Sequence, residues 1–226
     1  MSDVTKLELP LDNLIRKSEN NNTPSQSIFF LHGFGSNMQD LFGLSPYFPE
    51  NWNCISLQGT LPVYQNGWAW AELNFNEILK IYRPDQYLYH HEKILQSINL
   101  SVEQLKLDSS QIYLLGFSQG AGLSIYTGLK NPTLFKGIIA LSGCISVNDF
   151  ESELNLENIK SLKIFMGNGI QDEMIPIAFA QKTKDQLIEL DVKVDYNEYN
   201  ATHTIANDCL NDFMSWIKPL SQQELL

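Results

Sequence analysis

Basic residues, cysteine and histidine are all scarce in this chain, and each shortage removes a class of function. Lysine and arginine number 15 against 26 aspartates and glutamates, a formal net charge of −11 over 226 residues. A field of that sign repels phosphate backbones and anionic bilayers, so nucleic acid is not an expected partner. Cys54, Cys144 and Cys209 lie far apart, odd in number and without a CxxC pair. A disulfide framework or a cysteine-held metal is therefore not expected, and a reducing, cytoplasmic setting is. No apolar run approaches the roughly 20 residues that cross a bilayer. The start, MSDVTKLELP, has no basic segment leading into an apolar one, so neither a secretion leader nor integral membrane association is expected. Only four histidines occur, His32, His90, His91 and His203. Any reaction that needs an imidazole has few to choose from.

What is present reads as one globular domain over residues 1–226. The chain is 43% apolar, and its length suits a single continuous core. No repeat period is visible, and the polar patch SENNNTPSQS at 18–27 predicts a loop. Short apolar runs at 28–31, 53–57, 111–115, 137–141 and 162–166 predict buried parallel strands. The alternating segment 193–199 predicts a half-exposed strand near a sheet edge. Helical spacing joins Leu88, His91, Leu95, Ile98, Val102 and Leu105 after Pro84. It recurs through Ile177, Ala180, Leu187 and Ile188, and through Ile205, Cys209, Phe213, Trp216 and Ile217. Strands alternating with helices imply a mostly parallel sheet covered on both faces, with ligands at the carboxyl ends of the strands. Residues 59–83 form a long aromatic-rich connection with no clear regular element. Such a segment is either functional or a flap packed on the core. Trp68 and Trp70 within it are the candidate substrate-binding residues.

The stretch QIYLLGFSQGAG contains Gly116-Phe117-Ser118-Gln119-Gly120, a G-x-S-x-G pattern between a strand and a helix-compatible segment. That setting suits a sharp turn that displays a serine hydroxyl beyond the sheet, facing the amides of a new helix. A serine needs a base, and the base needs an orienting carboxylate. If the chain order is serine, acid, histidine, His203 is the only imidazole after Ser118. Asp172, in the turn after the strand at 162–166, is the favoured carboxylate, and Asp149 is the fallback. Two backbone amides must receive an oxyanion. Gln119, following the serine, supplies one. The junction FFLHGFGSN supplies the other at Phe34, with Gly33 allowing the turn and His32 read as a structural hydrogen-bonder.

The blocks LHGFGSN, GFSQGA, NGIQDEMIP and THTI resemble, in order and spacing, the phospholipase/carboxylesterase family of α/β hydrolases. That family includes acyl-protein thioesterases, lysophospholipases and small bacterial carboxylesterases. The similarity runs from about Ser27 to the final helix. It implies an α/β-hydrolase fold, with a mostly parallel central sheet and helices on both faces. It also implies Ser118 as nucleophile, Asp172 as acid, His203 as base, and Phe34 and Gln119 as oxyanion-hole amides. No metal and no organic cofactor are implied. The implied substrate is a small-molecule or lipid-like acyl ester or thioester, and family members often form homodimers. Three departures stand out: Asn168 where histidine is common, Thr202 where glycine usually precedes the catalytic histidine, and GWAWAEL in place of a Trp-Phe-Asp segment. The expectation is a serine hydrolase of carboxylic esters. A non-catalytic ligand-binding protein on the same fold is the alternative.

Overall fold

A computed structural model describes residues 5–19 and 25–222, so part of the polar stretch at 18–27 and the first four residues lie outside the described chain. The elements in order are β1 (Asn13–Arg16), β2 (Ser27–Leu31), α1 (Met38–Phe42), β3 (Asn53–Leu57), β4 (Leu61–Tyr64) and β5 (Gly67–Ala69). There follow α2 (Pro84–Leu105), β6 (Ile112–Phe117), α3 (Gln119–Lys130), β7 (Gly137–Leu141) and α4 (Leu156–Ile159). The chain closes with β8 (Lys163–Gly169), α5 (Ile177–Glu189), β9 (Lys193–Tyr199) and α6 (Asn207–Gln222).

Seven strands form one sheet in the order β1-β3-β2-β6-β7-β8-β9. All neighbours run parallel except β1, which pairs antiparallel with β3 at one edge. The half-exposed β9 forms the other edge, in keeping with its alternating sequence. Successive strand residues point to opposite faces, so the continuous apolar runs feed two cores. Phe29, Leu31, Leu114, Ile138, Ile164 and Met166 join Ile94 and Ile98 of α2, Leu123 of α3 and Leu187 of α5. Ile28, Phe30, Leu115, Ile139, Leu141 and Phe165 join Leu41 of α1 and Cys209, Phe213 and Ile217 of α6. The result is an α/β-hydrolase architecture with helices on both faces of a mostly parallel sheet. Among the described residues, no helix is long and apolar enough to cross a membrane.

The helical stripes differ in detail from the spacing read in sequence. On α2 the inner face carries Tyr87, His90, His91, Ile94, Ser97, Ile98 and Ser101, whereas Leu88 is exposed. Ser97 and Ser101 donate to the carbonyls of Lys93 and Ser97 four residues back, which makes their burial affordable in an apolar layer. On α5, Ile188 is exposed while Thr183 and Gln186 are buried. The Thr183 hydroxyl accepts from Ile145 N–H and donates to Ile145 C=O, and Gln186 accepts from Val147 N–H. Backbone groups of the loop after β7 thus select polar partners from the helix. The aromatic segment 59–83 contains a regular element after all, the β4–β5 hairpin, turning at Asn66 with φ of 62°.

Candidate active site

β6 delivers the chain into Ser118, whose backbone sits at φ 54°, ψ −117°, where side chains are strained. A Cβ at Gly116 would run into the carbonyl of Gly120, and one at Gly120 into the carbonyl of Leu31. Small residues at both positions let α3 start directly beneath the turn and against β2. The Ser118 N–H donates to Leu141 O at 2.9 Å, and the Ser118 carbonyl accepts from Ala121 and Gly122. α3 is buried from Gln119 to Leu129. Its amino end, with a partial positive charge, lies at the serine.

Asp172 follows β8, and His203 follows β9. Gly169 is the point where their two loops touch, because a Cβ there would strike the carbonyls of Ala201 and Thr202. Asp172 Oδ1 accepts from the backbone N–H groups of Met174 at 2.9 Å and Ile175 at 2.8 Å. Its other oxygen, Oδ2, accepts from His203 Nδ1–H at 2.7 Å. With Nδ1 protonated, Nε2 is left as an acceptor, and the Ser118 hydroxyl lies 3.0 Å from it. The carboxylate is fully buried, whereas the imidazole is partly open to the cleft. The Phe117 ring packs 4.9 Å from the His203 ring. Asp149, the fallback acid, is elsewhere: it accepts from Ile81 N–H and from the Ser146 hydroxyl. Asn168 donates to Gly143 O at 3.3 Å, tying the end of β8 to the loop after β7.

The loop after β2 closes the third side. A Cβ on Gly33 would lie 3.3 Å from the Ser118 Cβ, so the backbone of this loop rests against the serine. Among the described residues, neither Phe34 N–H nor Gln119 N–H has a hydrogen-bond acceptor. Gln119 directly follows Ser118 in the chain, and Phe34 lines the same cleft as Ser118 and His203.

A cleft of about 190 Å³ opens over Ser118 and His203. Its walls include Phe34, Tyr64, Leu73, Phe75, Ile78 and Met174, with Asp40 as the one carboxylate. Neither Trp68 nor Trp70 lines it, which corrects their assignment as substrate contacts. Trp70 is 0% exposed, its indole N–H donating to His32 O at 2.8 Å. Trp68 is bridged on both sides to the loop after β2, through Gly35 N–H and Ser36 O. Aromatic composition marked the segment but not which rings turn outward; Tyr64 and Phe75 do, at 64% and 62% exposure. A second cleft, about 400 Å³, shares Ile78 with the first but is lined by Lys80, Asp149 and Lys182 and contains no serine–histidine pair.

The other three histidines are inner groups. Burial lowers His32 and His91 to about 4 and also depresses His90. His32 Nδ1–H donates to Gly33 O at 2.8 Å, and its Nε2 accepts from Gly59 N–H at 3.0 Å. Among the described residues, no group of three or more His, Cys, Asp or Glu side chains is placed to hold a metal ion.

A model of the Phospholipase/Carboxylesterase family matches residues 15–221. Acyl-protein thioesterase 1 of Saccharomyces cerevisiae is 28% identical over 212 residues, covering 85% of this chain and 92% of its own. Acyl-protein thioesterase 1 of Mycosarcoma maydis is 30% identical over 118 residues, about half of each chain, at 50% and 49%. Among solved structures, esterase PE8 superposes with a TM-score of 0.78 at 24% identity, covering 96% of this chain and 100% of that one. The Bacillus cereus carboxylesterase superposes with a TM-score of 0.80 at 16% identity, covering 94% and 96%. These two likenesses concern the fold.

Proposed function

The chain belongs to the phospholipase/carboxylesterase family, and from that premise we propose that it is a serine hydrolase that cleaves carboxylic esters, thioesters included, through an acyl-enzyme. The observation that carries this reading is the hydrogen-bonded line from Asp172 Oδ2 through the His203 imidazole to Ser118 Oγ, at 2.7 and 3.0 Å. His203 Nε2 takes the hydroxyl proton as Ser118 Oγ attacks the acyl carbon. Asp172 holds the ring in the correct tautomer and stabilises the imidazolium that forms. The N–H groups of Phe34 and Gln119 receive the oxyanion. Collapse expels the alcohol or thiol, which takes the proton from His203. Water then repeats the sequence on the acyl-enzyme. The same reading treats residues 1–226 as one α/β-hydrolase domain in a reducing, cytoplasmic setting.

The relatives named acyl-protein thioesterase and the apolar walls of the cleft support an acyl ester or thioester substrate over a charged one. Labelling with a fluorophosphonate probe, paired with hydrolysis of p-nitrophenyl esters of increasing acyl length, tests the proposal. Wild-type protein is expected to be labelled and to turn over. Ser118→Ala is expected to lose the label and at least about 10³-fold of the rate. A wild-type protein that neither labels nor hydrolyses any ester or thioester in the series would leave a ligand-binding protein as the better reading.

A further inference from the structure

We propose that His32 is a positioning residue for the oxyanion donor at Phe34, its imidazole setting the direction in which the Gly33–Phe34 peptide unit points. This rests on the hydrolase reading and adds a role for a residue outside the triad.

In a planar trans peptide, the C=O of one residue and the N–H of the next point to opposite sides. The N–H offered by Phe34 is therefore aimed by whatever holds the Gly33 carbonyl. Two donors hold it: His32 Nδ1–H at 2.8 Å and Ser36 N–H at 3.2 Å. At position 33 a Cβ would press on Phe117 and Ser118, at 3.3 Å from each, so glycine lets the backbone lie against the serine. Its lack of a side chain also removes the steric barrier to rotation of the peptide. An anchor on the carbonyl replaces that missing restraint.

His32 is built for this task. Gly59 N–H donates to Nε2 at 3.0 Å, which obliges the ring to carry its proton on Nδ1 and aim it at Gly33 O. Burial keeps the ring neutral at physiological pH. The Trp70 ring packs 4.9 Å away, and its indole N–H fixes the His32 carbonyl at 2.8 Å. Trp70 also reaches the side chain of Gln119. Its backbone N–H donates to Gln119 Oε1 at 2.9 Å, while Gln119 Nε2–H donates to Ala71 O at 2.6 Å. One buried network thus links the anchor of the Gly33–Phe34 peptide unit to the side chain of Gln119, while the Ser118 carbonyl is held separately by the N–H groups of Ala121 and Gly122. Packing alone would need only a ring of this size; a peptide anchor needs a proton on Nδ1.

Two measurements test the assignment. In the first, His32→Leu and His32→Asn are compared on a p-nitrophenyl ester and for inhibition by a boronic acid that forms a tetrahedral adduct on Ser118. The asparagine amide can donate near the position of Nδ1, whereas leucine cannot. Loss of an oxyanion donor predicts a fall in kcat of about 10²–10³-fold for His32→Leu at nearly unchanged KM, with boronate affinity falling in step. His32→Asn is expected to recover at least tenfold of that loss. A folded His32→Leu that keeps kcat within about threefold, or an asparagine variant no better than leucine, overturns the assignment. The second measurement needs no variant and covers the case in which leucine prevents folding. Nitrogen-15 shifts of the wild-type imidazole should report the neutral Nδ1–H tautomer. A proton found on Nε2 instead would leave Gly33 O facing a lone pair and overturn it too. Failure of the hydrolase reading looks different, because the wild-type protein would then hydrolyse no ester and take no fluorophosphonate.

Discussion

His203 Nε2 lies 3.0 Å from Ser118 Oγ, although 85 positions separate the two residues along the chain. The sheet order closes this distance. β6, β7, β8 and β9 are consecutive parallel neighbours, so the loops after β6, β8 and β9 emerge at one edge. Ser118, Asp172 and His203 each occupy one of those loops. Parallel topology therefore brings together what sequence order keeps apart.

The first prediction concerns the acid. Asp172 Oδ1 is committed to two backbone N–H groups and Oδ2 to His203. Asp172→Asn can keep the first pair through its own carbonyl oxygen, so thermal stability should change little. Its amide would then face His203 Nδ1 as a donor and move the ring proton to Nε2, where it opposes the serine hydroxyl. We expect kcat to fall by about 10³–10⁴-fold, as the wrong tautomer does in a serine triad. Steady-state kinetics beside a melting curve checks both halves.

A second prediction follows from the backbone of Ser118, at φ 54°. A residue with a Cβ is strained there and glycine is not. Ser118→Gly and Ser118→Ala both lack the hydroxyl, yet urea unfolding should find the glycine variant more stable by about 1 kcal/mol. Equal stabilities would mean that the elbow stores no strain.

How much of this was readable beforehand depended on which forces acted locally. The strands at 53–57, 137–141 and 193–199 have the bounds that their sequences imply, because burial on two faces or one writes itself directly into the pattern. β1 carries no such pattern in NLIR, and its place is set by pairing with β3. There Arg16 also donates to the carbonyls of Phe48 and Pro49. The β4–β5 hairpin had a usable signal in Asn66-Gly67, a dipeptide suited to a tight turn. The meeting of Ser118, Asp172 and His203 was legible because few histidines exist and chain order narrows them to one. The roles of Trp68 and Trp70 were not. A tryptophan buried for its N–H donor and one lining a cleft look the same in sequence.

A third prediction concerns the glycines of the turn. Gly120 lies so close to β2 that a Cβ would enter the space of the Leu31 carbonyl. Backbone cannot yield as a side-chain tip can, so Gly120→Ala must shift α3 or β2. We expect a loss of about 3 kcal/mol or more, read from denaturant unfolding, together with loss of activity. The same change at Gly43, where the nearest contact is a single carbonyl at 3.1 Å, should be far milder.

The last prediction concerns acid stability. Burial depresses His32 from 6.5 to about 4 in the folded protein. The unfolded chain therefore binds a proton below about pH 6.5 that the folded chain refuses until about pH 4. Stability from this group is fully present above pH 6.5, declines as the pH falls through this window, and is lost by about pH 4. The total is on the order of 3 kcal/mol for one such imidazole. His91, also lowered to about 4 by burial, adds a decline of the same sign. Urea unfolding measured at half-unit steps from pH 7.5 to 5 should show stability falling with pH before most carboxylates titrate. The slope should be shallower, by up to one proton, in His32→Asn. A flat or rising profile over that range would mean that His32 binds its proton as readily in the folded protein as in the unfolded chain. The acceptor role of Nε2 toward Gly59 N–H could then not hold, because a protonated ring has no lone pair to offer there.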